Sequence, residues 1–179
     1  MTKMRASMGE VDLSLPPGAD LLEAAGRVAL AHGQLELMLR MTIKTLTGMG
    51  VKEALYATEK TKNWQLRDEI QKLFKQKTKD LSLVFKLRAI LNKCEALSDE
   101  RNRLLHNAWA IAPDGSIVTK GADHAWGAAA TPTDLTNLAS EIIQQVEALN
   151  QARLHGFIRD VVNKHDETNA TPAAANPTS

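Results

Sequence analysis

"LSLVFKLRAILNKCEALSDERNRLLHNAW", residues 81–109, decides the fold. Read at about 100° per residue, Leu83, Leu87, Ile90, Cys94, Leu97, Leu104 and Ala108 fall on one stripe. That period belongs to a long amphipathic helix. Asp80 or Ser82 can cap its start, and the pattern runs to about Trp109. Arg101 falls where an apolar residue is due. An unpaired guanidinium on a buried face is costly, so a carboxylate or a phosphate should lie beside it.

Upstream, residues 1–18 read as a flexible arm closed by Pro16, Pro17 and Gly18. A helix follows from Asp20 to about Thr47, stopped by Gly48 and Gly50. Leu21, Ala25, Val28, Leu35, Leu39, Ile43 and Leu46 define its core face, and His32 and Glu36 lie on the same face. Glu36 is therefore the expected partner of Arg101, with His32 beside it. A short helix is expected from Val51 to Thr58. A third, capped by Asn63, carries Trp64, Leu66, Ile70, Leu73 and Phe74 to about Lys77.

Downstream the pattern changes. β-formers surround Pro113, Asp114 and Gly115, a turn signal that predicts a short hairpin over about 110–127. Thr133 is the expected cap of a last long helix carrying Leu135, Leu138, Ile142, Val146, Leu149, Phe157 and Val161. Residues 165–179 carry no large apolar side chain and read as a disordered tail. The expected fold is all-α. It is an up-and-down bundle of about four to five helices in one domain, residues 19–164, with a β-hairpin-like insertion before the last long helix.

Composition agrees. Aromatics make up only 4% of the 179 residues, so the core must be aliphatic, which favours helices. One cysteine, Cys94, excludes an intramolecular disulfide and a cysteine-based zinc site. No apolar run has the length of a signal peptide or a membrane span, so a cytoplasmic protein without membrane contact is expected. No dinucleotide or phosphate-loop motif occurs, and His124 beside Asp123 lacks a third ligand. No cofactor or metal is expected. Residues 60–93 hold ten Lys or Arg against three Asp or Glu, a basic block that can attract phosphates or simply solvate helix faces. Leu30, Leu37 and Met41 on the first helix, with Leu91, Asn102 and Trp109 on the fourth, form second lines that suggest a homodimer surface.

"RNRLLHNAW" resembles the motif of HEPN-domain proteins, small helical bundles whose ribonuclease motif is Arg, a gap of four to six residues, then His, often with a polar residue after the Arg. Arg101, Asn102 and His106 match with a gap of four. Arg27 with His32 and Arg159 with His165 show similar spacings but lack that context. The resemblance is strongest over residues 95–110. It implies a dimeric, metal-independent endoribonuclease of toxin or phage-defence type, with RNA as substrate and an antitoxin or other protein as a further partner. Arg101 would hold the phosphate, His106 would transfer the proton and Asn102 would orient either. The alternative is a non-catalytic interaction module with Arg101 in a structural ion pair. On an ideal helix Arg101 and His106 splay by about 140°. Their convergence requires a helix break at the motif or a second chain.

Overall fold

The computed structural model describes residues 11–14, 18–121 and 124–170. Among these residues the chain is mainly helical, with one small antiparallel sheet inserted before the last long helix. The helices are α1 (Ala19–Thr47), α2 (Val51–Ala57), α3 (Asn63–Lys77), α4 (Leu81–Leu105), α5 (Pro132–Leu154) and α6 (Phe157–Ala170). The strands are β1 (Trp109–Ile111), β2 (Ile117–Lys120) and β3 (Trp126–Ala128), in that order across the sheet. No described helix is long and apolar enough to cross a membrane.

Two compact units divide the chain. One comprises Met1–Leu35 and Cys94–Gln144, the other Glu36–Lys93 and Gln145–Ser179. In the first, Leu21, Val28 and Leu35 of α1, Cys94, Leu97 and Leu104 of α4, and Leu135 and Ile142 of α5 are buried, as is Ala110 of β1. Trp109 pairs with Thr119 and Ile111 with Ile117 across β1 and β2, and Thr119 pairs with Gly127 across β2 and β3. The N-terminal segment joins this sheet. Asp12 N–H donates to the Ile111 carbonyl (2.9 Å), and the Asp12 carbonyl accepts from Ile111 N–H (2.7 Å). The expected free arm is thus tied down at Asp12, while residues 1–10 and 15–17 lie outside the described residues.

The second unit is all helix. Phe74 of α3 meets Phe157 of α6 edge-to-face, with centroids 5.8 Å apart, and Lys86 Nζ lies 4.8 Å over the Phe157 ring. Leu66, Ile70, Leu87, Leu91, Leu149 and Ile158 are fully buried in the same unit. Trp64, at the start of α3, is exposed.

Several element boundaries differ from the sequence expectation for identifiable reasons. Asp80 is the cap of α4, its Oδ1 accepting from Ser82 N–H at 2.9 Å. The α5 cap is Thr131 rather than Thr133. Thr131 Oγ1 accepts from Asp134 N–H (3.1 Å), and Asp134 Oδ2 accepts from Thr131 N–H (2.9 Å). This reciprocal box leaves Pro132 at the first helical position, where a missing N–H costs nothing. At the start of α3, Asn63 is already helical, and Gln65 Oε1 accepts from Lys62 N–H instead (2.9 Å). The expected last long helix is two helices, broken at Gly156. A Cβ there would meet Ala152 Cα at 3.2 Å and the Gln151 carbonyl oxygen at 3.3 Å, tighter than ordinary contact, so glycine lets the corner close without its neighbours giving way. Residues 165–170, expected in a disordered tail, complete α6; residues 171–179 lie outside the described residues. Leu91, expected on a dimer surface, is 1% exposed and belongs to its own chain's core.

Candidate functional site

The site forms because α4 stops early. Its last residue is Leu105, four short of the expected Trp109. His106 N–H still donates to the Asn102 carbonyl (3.0 Å), but the chain then leaves the helix towards β1. Asn107 reinforces the stop by donating from Nδ2 to the Arg103 carbonyl (2.7 Å), satisfying one of the orphan carbonyls of the last turn. Freed from helical geometry, the His106 imidazole turns back onto Arg101.

Arg101, Asn102 and His106 are consequently in contact. Arg101 Nη1 donates to Asn102 Oδ1 at 3.1 Å and makes a short hydrogen bond with His106 Nε2. A guanidinium has no acceptor, so His106 Nε2 carries the lone pair and the ring proton sits on Nδ1. Asn102 and His106 are exposed and Arg101 is half-buried, so the cluster opens to solvent. Arg101 Nε is buried without a hydrogen-bond partner. Arg101 has no carboxylate partner among the described residues.

Glu36 does not supply one. Its carboxylate accepts from Arg40 Nη2 at 2.6 Å, while Arg40 Nη1 donates to the Thr58 carbonyl at 2.5 Å, tying α1 to the end of α2. The physical reason is proximity: Arg40 lies one turn from Glu36 on the same helix. The expected Glu36–Arg101 ion pair is therefore replaced by two separate arrangements. His32 is also engaged elsewhere. Its Nε2 lies 3.2 Å from Ser98 Oγ, and Ser98 Oγ donates to the Cys94 carbonyl at 2.8 Å. That hydroxyl has a single proton, so His32 Nε2 is the donor to it. Ser98, buried one turn before Arg101, went unread in the sequence. Its only signal was a hydroxyl adjoining the apolar stripe.

The surrounding charges are paired. Glu100 Oε1 accepts from Arg103 Nη2 at 2.5 Å; that hydrogen bond, and then the charge of Arg103, hold the Glu100 carboxyl below its ordinary value against the effect of burial. The Asp134 carboxyl is also held low, first by the Thr131 hydroxyl and then by its N–H. Among the described residues no three His, Cys, Asp or Glu side chains are grouped as a metal site. Asp123 lies outside the described residues, and His124 stands in a left-handed turn conformation with φ 59°. Trp126 Nε1 is buried without a hydrogen-bond partner.

No family model matches this chain, and no curated protein or solved structure is significantly similar to it.

Proposed function

We propose that the end of α4 is a ribonucleolytic site of the HEPN-like type that cleaves RNA through its own 2′-hydroxyl. The observation that carries this reading is the pairing of Arg101. A guanidinium without a carboxylate partner among the described residues touches an imidazole lone pair and an amide oxygen at a solvent-exposed point. A phosphodiester supplies the missing anion.

The chemistry follows from the residue types. A phosphate oxygen accepts a hydrogen bond from Arg101, which draws the guanidinium off His106 Nε2. The freed lone pair takes the proton of the neighbouring 2′-hydroxyl. The 2′-oxygen bonds to phosphorus, the bond from phosphorus to the 5′-oxygen breaks, and that oxygen takes a proton from solvent or from the imidazolium. Arg101 stabilises the charge that grows on the phosphoryl oxygens, and Asn102 holds Arg101 in register. The products are a 2′,3′-cyclic phosphate and a 5′-hydroxyl. Arginine, asparagine and histidine carry this sequence of steps without a metal. The resembled class places such chemistry in toxin or defence settings, where a neutralising protein partner is the natural counterpart.

The test is end-labelled single-stranded RNA incubated with the protein in excess EDTA, with the product ends identified. Cleavage leaving a cyclic phosphate, and none at a position carrying a single 2′-deoxy substitution, is the expected result. Intact RNA across varied sequences would instead assign the chain as a non-catalytic binding module.

A further inference from the structure

Two aromatic side chains of the second unit stand in solvent on either side of one turn. Tyr56, near the end of α2, is 83% exposed, and Trp64, in the first turn of α3, is 54% exposed. The same unit buries Phe74 and sets it edge-to-face on Phe157. The turn that carries the exposed rings is fixed. Thr58 is buried, and its hydroxyl donates to the Ala54 carbonyl at 2.7 Å. Its own carbonyl accepts from Thr61 N–H at 3.1 Å and from Arg40 Nη1 at 2.5 Å. Rings held on an ordered backbone lose little freedom when something stacks on them.

The charges beside the rings name the occupant. Lys60 and Lys62 lie on the same turn, between Tyr56 and Trp64 in sequence. Lys75 lies on the Trp64 line of α3, eleven residues and about three turns further on. All three lysines are exposed and make no ion pair among the described residues, whereas Lys72 pairs with Glu69 at 3.6 Å. Between Trp64 and Lys75 the line carries Asp68 and Gln71, and an open groove of about 530 Å³ runs past Asp68, Gln71 and Lys75. Asp68 weakens the attraction for an anion there without cancelling it. Exposed rings alone would suit a protein partner, but lysine is depleted in protein interfaces. Flat rings beside unpaired lysines suit a ligand that alternates π-faces with negative charge.

We propose that this α2–α3 face binds single-stranded nucleic acid, with bases stacked on Tyr56 and Trp64 and phosphates held by Lys60, Lys62 and Lys75. Every base has a π-face and stacking does not read the 2′-hydroxyl, so DNA and RNA bind alike. The inference uses none of the residues at the end of α4 and does not require cleavage there.

The experiment is fluorescence anisotropy of a labelled oligo(dT) of about 15 nucleotides, titrated with the full chain to about 100 μM at several salt concentrations. Micromolar binding is expected, equalled by a 2′-O-methylated oligo(U) that cannot be cleaved through its 2′-oxygen. Three lysines on a single strand give a slope of log K against log salt of about −2. Lys60→Gln with Lys62→Gln should flatten it to about −0.7. Trp64→Leu and Tyr56→Leu keep apolar area but lose the ring, and each should weaken binding at least about fivefold. Trp64→Phe should recover most of that loss. Binding undiminished in both leucine variants, or Trp64→Phe as weak as Trp64→Leu, would overturn the proposal. No binding by the wild type at low salt would also overturn it and leave the face to a protein partner. Either failure leaves the site at the end of α4 untouched, and intact oligo(dT) binding without RNA cleavage would count against that site alone.

Discussion

The end of α4 and the body of α6 carry nearly the same spacing of arginine and histidine, and the structure treats them differently. His106 follows Arg101 by five residues and touches it. His165 follows Arg159 by six and is held by other groups: Lys77 Nζ at 3.4 Å, Asp166 Oδ1 at 3.4 Å and Asn169 Nδ2 at 3.2 Å. Arg27 and His32 behave like the α6 pair, Arg27 bonding Glu23 and His32 lying beside Ser98. The difference is the helix end. Residues five or six apart inside a continuous helix point in different directions. Only at α4 does the backbone leave the helix between the two side chains, at Leu105. Whether the two side chains of such a spacing can touch is decided by where the helix stops.

The largest effect that sharpens this contrast is in the support of α6. Phe157→Ala removes the ring packed on Phe74 just after the Gly156 corner and should cost about 3–5 kcal/mol of stability in denaturant unfolding. Arg101→Ala should cost much less, about 1 kcal/mol, because Arg101 is half-buried and Glu36 belongs to Arg40. A loss of about 3–5 kcal/mol at Arg101 would mean that it closes a buried ion pair after all. Thr131→Ala removes the α5 cap and should cost about 1 kcal/mol in the same assay. His165→Ala should be nearly silent, within about 0.5 kcal/mol, and should leave any RNA cleavage intact.

A pH dependence accompanies the helix caps. The Asp80 carboxyl is held below its ordinary value by the Ser82 hydroxyl and then its N–H, and the Asp134 carboxyl by Thr131 in the same way. A folded-state value lower than the unfolded one, about 3.9, gives stability that is present above that pH. It is lost as pH falls through the lower folded value. Asp80→Asn with Asp134→Asn should flatten this acid limb in thermal melts taken between about pH 5 and pH 2.

The helical class and the β insertion were legible because their signals are periodic. The stripe through Leu87, Cys94, Leu97 and Leu104 and the turn at Pro113–Gly115 each repeat or punctuate over many residues. The site was legible only as three names. What brings them together is the stop at Leu105, and the apolar pattern runs straight past it to Trp109 because Ala108 stays in phase. The mistaken partner has a similar origin. Glu36 and Arg101 both lie on core-facing lines, but a neighbour one turn away, Arg40, reaches the carboxylate first. The corner at Gly156 was hidden because Phe157 and Val161 continue an apolar series across it.

The central claim is that His106 moves a proton and His165 does not. Cleavage of one RNA should therefore be timed for the wild type, His106→Ala and His165→Ala, each purified identically and checked for helical circular dichroism. A rate lowered by about 10²–10⁴ in His106→Ala and unchanged in His165→Ala is the expected result. Cleavage that persists at the wild-type rate in folded His106→Ala would contradict it.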